Sequence, residues 1–170
     1  MPAYDRFEIA QILGNLGDEL VPPSPETHEA MLGRMGRNLL LFNQVEGSLK
    51  RVIPYIHPQG AALGSTALAQ FRADMKRQSL GPTAQRLVES IASTDIDNFA
   101  LYVKSVVDHR NALAHQFFEQ PGVAMSEEGC RIAIEWLDAQ YLHCLPLKDY
   151  CGSLLVATIA AMDLVAGESE

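Results

Sequence analysis
Along most of this chain apolar residues return every three or four positions, and the aromatic and β-branched alternation that marks a strand is almost absent. That spacing is the period of an amphipathic helix, so the sequence predicts an all-α fold. A first helix is expected over Tyr4 to Leu20, closed by Val21-Pro22-Pro23 because proline cannot continue a helix. Ser24 then caps a second helix, with Pro25 at its first position and Glu26 against the positive end of its dipole. This long helix is expected to carry Met31, Met35, Leu39, Phe42, Leu49 and Ile53 as one stripe and to stop before Pro54.

Turn residues punctuate the rest. His57 to Gly64 reads as a loop, Ser65 or Thr66 as the cap of a short helix to about Gln78, and Gly81-Pro82-Thr83 as a break before another to about Ile91. Thr94, with Asp95 and Asp97 behind it, caps a helix through Val107 and beyond, striped by Phe99, Val103 and Val106. Pro121-Gly122 ends the following segment. Ser126-Glu127-Glu128 opens a last helical region containing Trp136 and Leu137, and Pro146 is expected to kink or split it, leaving Leu147 to Val165 as a terminal helix. The expectation is a bundle of five to seven helices over residues 23–166, with an N-terminal helix and loop (1–22) packed on it and a disordered tail (167–170).

A chain of 170 residues can bury one core without staples. Asp5 and Glu8 stand where a secretory signal carries bases, and Leu154 to Val165, interrupted by Asp163, is short for a bilayer; both predict a cytoplasmic protein without a membrane span. Cys130, Cys144 and Cys151 have no paired short spacing, which fits neither a disulfide framework nor a zinc ribbon and predicts buried thiols, with no metal and no cofactor. The net charge of −8 speaks against a protein that coats nucleic acid. It is unevenly spread, however. Residues 1–28 hold one base and five acids, residues 29–119 ten bases and eight acids, and residues 121–170 two bases and eight acids, so the middle is the part suited to meet a phosphate.

Two charges fall on apolar stripes. Glu46 lies between Phe42 and Leu49, and Arg110 continues Phe99, Val103 and Val106. Either they meet, because an unpaired buried charge costs several kcal/mol, or both reach the bundle rim. Next to Arg110 stand Asn111 and, five residues on, His115. In an unbroken helix Arg110 and His115 point about 140° apart whereas Asn111 and His115 share a face. A joint site then requires a distorted turn near Asn111 or a second copy across an interface.

The string Arg110-Asn111-x-x-x-His115, after an amphipathic helix and before aromatic residues, resembles the R-x4-6-H signature of the HEPN domains, in its form with Asn directly after Arg. An acidic residue on an early helix, here Glu46, also fits the family pattern. The resemblance implies a helical bundle that dimerises so that two motifs line one cleft, and a metal-independent endoribonuclease leaving 2′,3′-cyclic phosphate ends. His115 is then the general acid or base, Arg110 stabilises the phosphoryl charge, and Asn111 orients the phosphate or His115, with Glu46 and His109 as further candidates. It implies RNA as substrate, a second copy as partner, and an antitoxin or regulatory protein if the chain is the toxin of a toxin-antitoxin or phage-defence system. In toxins paired with nucleotidyltransferases a tyrosine two residues after the histidine accepts AMP; here Phe117 has no hydroxyl to modify. The alternatives are a noncatalytic binding or regulatory dimer of the same fold, and a purely structural motif in which Arg110 pairs Glu46, Asn111 caps or kinks the helix and His115 bonds a core carbonyl. Asp108, like His109, flanks the motif and is expected either to add an acid or base or to be a solvated residue at a helix end; His28, His57 and His143 are expected as surface or cap residues, and Trp136, Met125 and Tyr141 as core or dimer contacts.

Overall fold
A computed structural model describes residues 22–61, 64–117 and 126–167. The expected helix over Tyr4 to Leu20, the Pro121-Gly122 break, Met125 and residues 168–170 lie outside these. Six helices and no strand occur among the described residues: α1 (Pro25–Ile56), α2 (Pro58–Ala61), α3 (Ser65–Arg77), α4 (Leu80–Glu89), α5 (Ile96–His115) and α6 (Glu127–Gly167). The all-α class and the helical bundle are therefore as the periodicity predicts.

Helix α1 begins as its sequence dictates. Ser24 Oγ accepts from Thr27 N–H at 3.1 Å, and Pro25 occupies a first-turn position where no amide donor is needed. Glu127, at the start of α6, closes the same corner by accepting from Ser24 N–H and Thr27 Oγ1, both at 2.7 Å. These bonds hold its carboxyl below the ordinary range. Ser126 Oγ caps α6 in turn by accepting from Gly129 N–H.

The core is a seam between α1 and α6. On α1 the buried positions include Met31, Asn38, Phe42, Val45, Leu49 and Val52, with Met35 partly buried between the first two. On α6 they are Cys130, Ala133, Leu137, Gln140, Cys144, Leu147 and Cys151. Both run in steps of three and four, the pattern of two helices lying side by side along one stripe. The cross-links Ser24–Glu127, Arg34–Asp138 and Asn38–Gln140 climb both helices together, so α1 and α6 are parallel. One polar pair interrupts the seam. Asn38 Nδ2 donates to Leu137 O at 2.8 Å and to Gln140 Oε1 at 3.0 Å, and Asn38 Oδ1 accepts from Arg37 Nε at 3.2 Å. A buried amide with its bonds made fixes register, because a slip of the seam would leave it unpaired. Leu39, expected in the stripe, is exposed instead, and its place in the seam belongs to Asn38.

The three cysteines share one line of this seam and are free and buried. Burial pushes the thiols of Cys144 and Cys151 up to about 12 and raises that of Cys130. Since the thiolate is the reacting form, native protein is expected to resist iodoacetamide at pH 8, with all three thiols labelled after unfolding in urea. Mass spectrometry reads this directly, and fast native labelling of Cys144 would mean that the seam opens.

Three proline readings need correction. Helix α1 runs through Pro54 to Ile56 and is closed by His57, whose N–H bonds Ile53 O at 2.9 Å. It stops there because the next donor in line, at Pro58, does not exist. Gly81-Pro82 lies in the first turn of α4, and the break falls earlier, at Gln78-Ser79. Pro146 does not split the last helix: α6 is continuous over 41 residues. Tyr102 of α5 explains why. Its hydroxyl donates to His143 O at 3.0 Å and accepts from Leu147 N–H at 3.1 Å, filling the helix ladder beside the proline. The same burial raises the Tyr102 pKa.

Continuity makes α6 longer than the sequence suggests. Over Glu127–Leu164 it is long and apolar enough to cross a membrane by length and composition, with mean hydropathy 1.2 in its most apolar window. Its first part lies in the seam with α1, whereas beyond Cys151 none of its described residues is buried.

Candidate functional site
The Arg110-Asn111-His115 segment forms the last turns of α5. Val103, Val106 and Leu113 anchor that helix in the core, and Gly81 of α4 lies beside it, where an added Cβ would stand 3.6 Å from Val107 Cγ1 in ordinary van der Waals contact. A second tether comes from the seam: Gln140 Nε2 donates to His109 O at 2.9 Å. Asn38, Gln140 and the His109 carbonyl thus form a polar relay from α1 through α6 to the residue before Arg110. Asn38 and Gln140 stand outside the residues expected at the site, although two amides on an otherwise apolar three-four pattern are a signal in the sequence.

The helix is unbroken from Ile96 to His115, so no distorted turn occurs at Asn111. Arg110 is half-exposed, and its Nη1 donates to Asn111 Oδ1 at 3.1 Å, which swings the guanidinium toward the face that Asn111 shares with His115. Asn111 and His115 are both exposed. His115 has no hydrogen-bond partner among the described residues, so its imidazole is not bound to a core carbonyl. Glu46 does not meet Arg110; its carboxylate pairs with Lys50 on its own helix at 2.6 Å. A neighbour one turn away satisfies the charge more readily than a contact across the bundle. Phe117 is buried and packs on Trp136, with ring centroids 6.1 Å apart.

No family model matches this chain, and no curated protein and no solved structure does either. The residues alone carry the reading of the site.

A second polar cluster adjoins the motif. His109 meets His143 of α6 edge-to-face at 5.0 Å, and His143 Nε2 lies 2.7 Å from Ser105 Oγ and beside the Tyr102 ring. Ser105 Oγ also donates back to Tyr102 O at 2.7 Å, which commits its proton to the helix. His109 Nδ1 is buried without a partner. Asp108 is exposed and pairs with Lys104, and His28 is exposed. His57, by contrast, is a buried cap: its Nδ1 accepts from Gln59 N–H and its Nε2–H donates to Glu89, whose carboxyl is thereby lowered. Among the described residues no three of His, Cys, Asp and Glu converge as a metal site would require.

Burial lowers the His109 pKa, and the neighbouring His143 lowers it further against the smaller pull of Asp108. The folded protein therefore refuses a proton that the unfolded chain accepts near pH 6.5. Stability is expected to fall as pH drops below about 6.5, and His109→Leu should flatten that part of the curve. Melting temperatures between pH 7.5 and 5 check this; an unchanged slope in the variant would remove His109 as its source.

Proposed function
We propose that the chain is a metal-independent endoribonuclease of the HEPN type, acting in the cytoplasm as a homodimer. The observation that carries this reading is the state of the motif: Arg110, Asn111 and His115 end one helix with their polar groups reaching solvent, Arg110 is bonded to Asn111, and His115 is uncommitted. The pairings expected of a purely structural motif do not occur among the described residues: Glu46 is bonded to Lys50, and His115 reaches solvent. In the proposed reaction His115 removes the ribose 2′ proton or protonates the leaving 5′ oxygen. The oxygen of the 2′ hydroxyl attacks the adjacent phosphorus, the bond to the 5′ oxygen breaks, and a 2′,3′-cyclic phosphate and a 5′ hydroxyl result. Arg110 neutralises the charge gathering on the phosphoryl oxygens, and Asn111 holds the guanidinium in place.

Dimerisation has a geometric reason. Side chains at Arg110 and His115 leave an unbroken helix about 140° apart, so a cleft that presents both to one phosphate calls for a second motif. Exposed Leu101 and Leu142, each 66% accessible, supply apolar surface for such a contact. Incubating the protein with total RNA in excess EDTA tests the function, with His115→Ala in parallel; fragments from the wild type alone are expected. The net charge of −8 favours the second reading, a noncatalytic dimer module. That reading stands if sedimentation shows a dimer and no RNA is cut.

A further inference from the structure
Acids outnumber Lys and Arg in this chain by 21 to 13, so most cations would be expected to find a carboxylate. Six do among the described residues: Arg34, Arg37, Lys50, Lys104, Arg131 and Lys148. The described cations that have no carboxylate within ion-pair distance are Arg51, Arg72, Lys76, Arg77, Arg86 and the motif's own Arg110. They are not scattered. From residue 50 to residue 86 the chain has a single acid, Asp74, and its carboxylate accepts from Gln70 rather than from a base.

Two ring contacts bring several of these cations together. Arg51 and Tyr55 lie one turn apart on α1, the Arg72 guanidinium stands 5.8 Å from the Tyr55 ring centre, and Lys76 follows Arg72 by one turn of α3. Arg86 of α4 lies over the Phe71 ring at 5.1 Å. After Arg77 the chain turns at Gln78-Ser79 into α4, whose Gly81 abuts Val107, one turn before Arg110. The basic end of α3 and the motif therefore lie at the same end of the α4–α5 pair.

We infer that Arg51, Arg72, Lys76, Arg77 and Arg86 form a phosphate track that leads a single-stranded RNA to Arg110. The inference rests on the ribonuclease reading for its substrate. Unpaired cations attract a polyanion because its condensed counterions are released on binding, and the half-buried Tyr55 ring set among them suits a strand whose bases are free to stack. The track also reconciles an acidic chain with a nucleic-acid substrate, since the surplus acids lie in the segments before residue 29 and after residue 120.

The test uses the His115→Ala protein, so that binding is read without cleavage, and a fluorescent 20-nucleotide single-stranded RNA whose anisotropy is followed from 50 to 300 mM salt. Each phosphate contact contributes about 0.7 to the slope of log affinity against log salt. The triple variant Arg72→Gln/Lys76→Gln/Arg77→Gln should lose about 2 from that slope. The control Lys104→Gln/Arg131→Gln/Lys148→Gln, which removes paired cations, should keep it. Equal slopes in the two triples, with both folded by circular dichroism, would overturn the track even if the wild type cuts RNA. Displacement of the RNA by polyglutamate at equal charge would overturn it in favour of an acidic protein partner. Binding with the expected slopes in a protein that never cuts RNA would uphold the track and remove the ribonuclease reading alone.

Discussion

Changing His115 to alanine is expected to lower RNA cleavage by about 10²–10⁴-fold, the usual contribution of a positioned general acid or base. The melting temperature should stay where it was, because His115 is exposed at the end of α5 and has no partner among the described residues to lose. That pairing of outcomes separates chemistry from folding. Single-turnover rates on a short RNA, measured beside thermal melts, give both numbers. Retention of the wild-type rate would remove His115 from the mechanism, and a large fall in melting temperature would make it a structural residue. Arg110→Ala should cost less, about 10²–10³-fold, as the loss of one charge-stabilising donor does elsewhere. It too should fold normally, since its bond to Asn111 lies on the surface of one helix.

The largest expected effect on stability is at Gly60, far from the motif. Pro54 and Pro58 are four residues apart, so the Pro54 carbonyl meets no amide proton from the residue that would ordinarily bond it. The chain then folds back over that carbonyl in α2. A Cβ at Gly60 would sit 2.1 Å from Pro54 O and 2.8 Å from Pro54 C, with Phe71 Cε1 at 3.2 Å behind it. Neither backbone atom can move without shifting the end of α1, so Gly60→Ala should destabilise by about 3 kcal/mol. Gly47 is the control. It lies inside α1 with nothing within 4 Å of a built Cβ, and Gly47→Ala should gain about 0.5–1 kcal/mol through helix propensity. Urea midpoints read both, and equal midpoints for the two variants would contradict the close approach at Pro54.

Much of the fold was legible because it rests on local chemistry. The caps at Ser24 and Ser126, the stripe through Val103 and Val106, and the burial of the cysteines all follow from residue type and spacing. What was not legible depends on contacts distant in sequence. Pro146 reads as a break until the Tyr102 hydroxyl, 44 residues earlier, is seen to fill the ladder beside it. Leu39 reads as core until Asn38 finds Leu137 and Gln140, at which point a polar side chain takes the buried place and the leucine turns outward. In the sequence the motif is three residues in a string. Its exposure was not readable, because it depends on how the α5 end sits against the bundle; the Glu46–Lys50 pair, four residues apart on one helix, was there to be read.

The end groups of the fragments show most directly which bond is broken. RNA cut by wild-type protein in excess EDTA, followed by phosphatase-resistant end labelling and mass spectrometry, should yield 2′,3′-cyclic phosphates and 5′ hydroxyls in equal number, and neither from His115→Ala. Fragments with 3′ hydroxyls and 5′ phosphates would mean that water rather than the ribose attacks phosphorus, and would contradict the roles proposed for Arg110, Asn111 and His115.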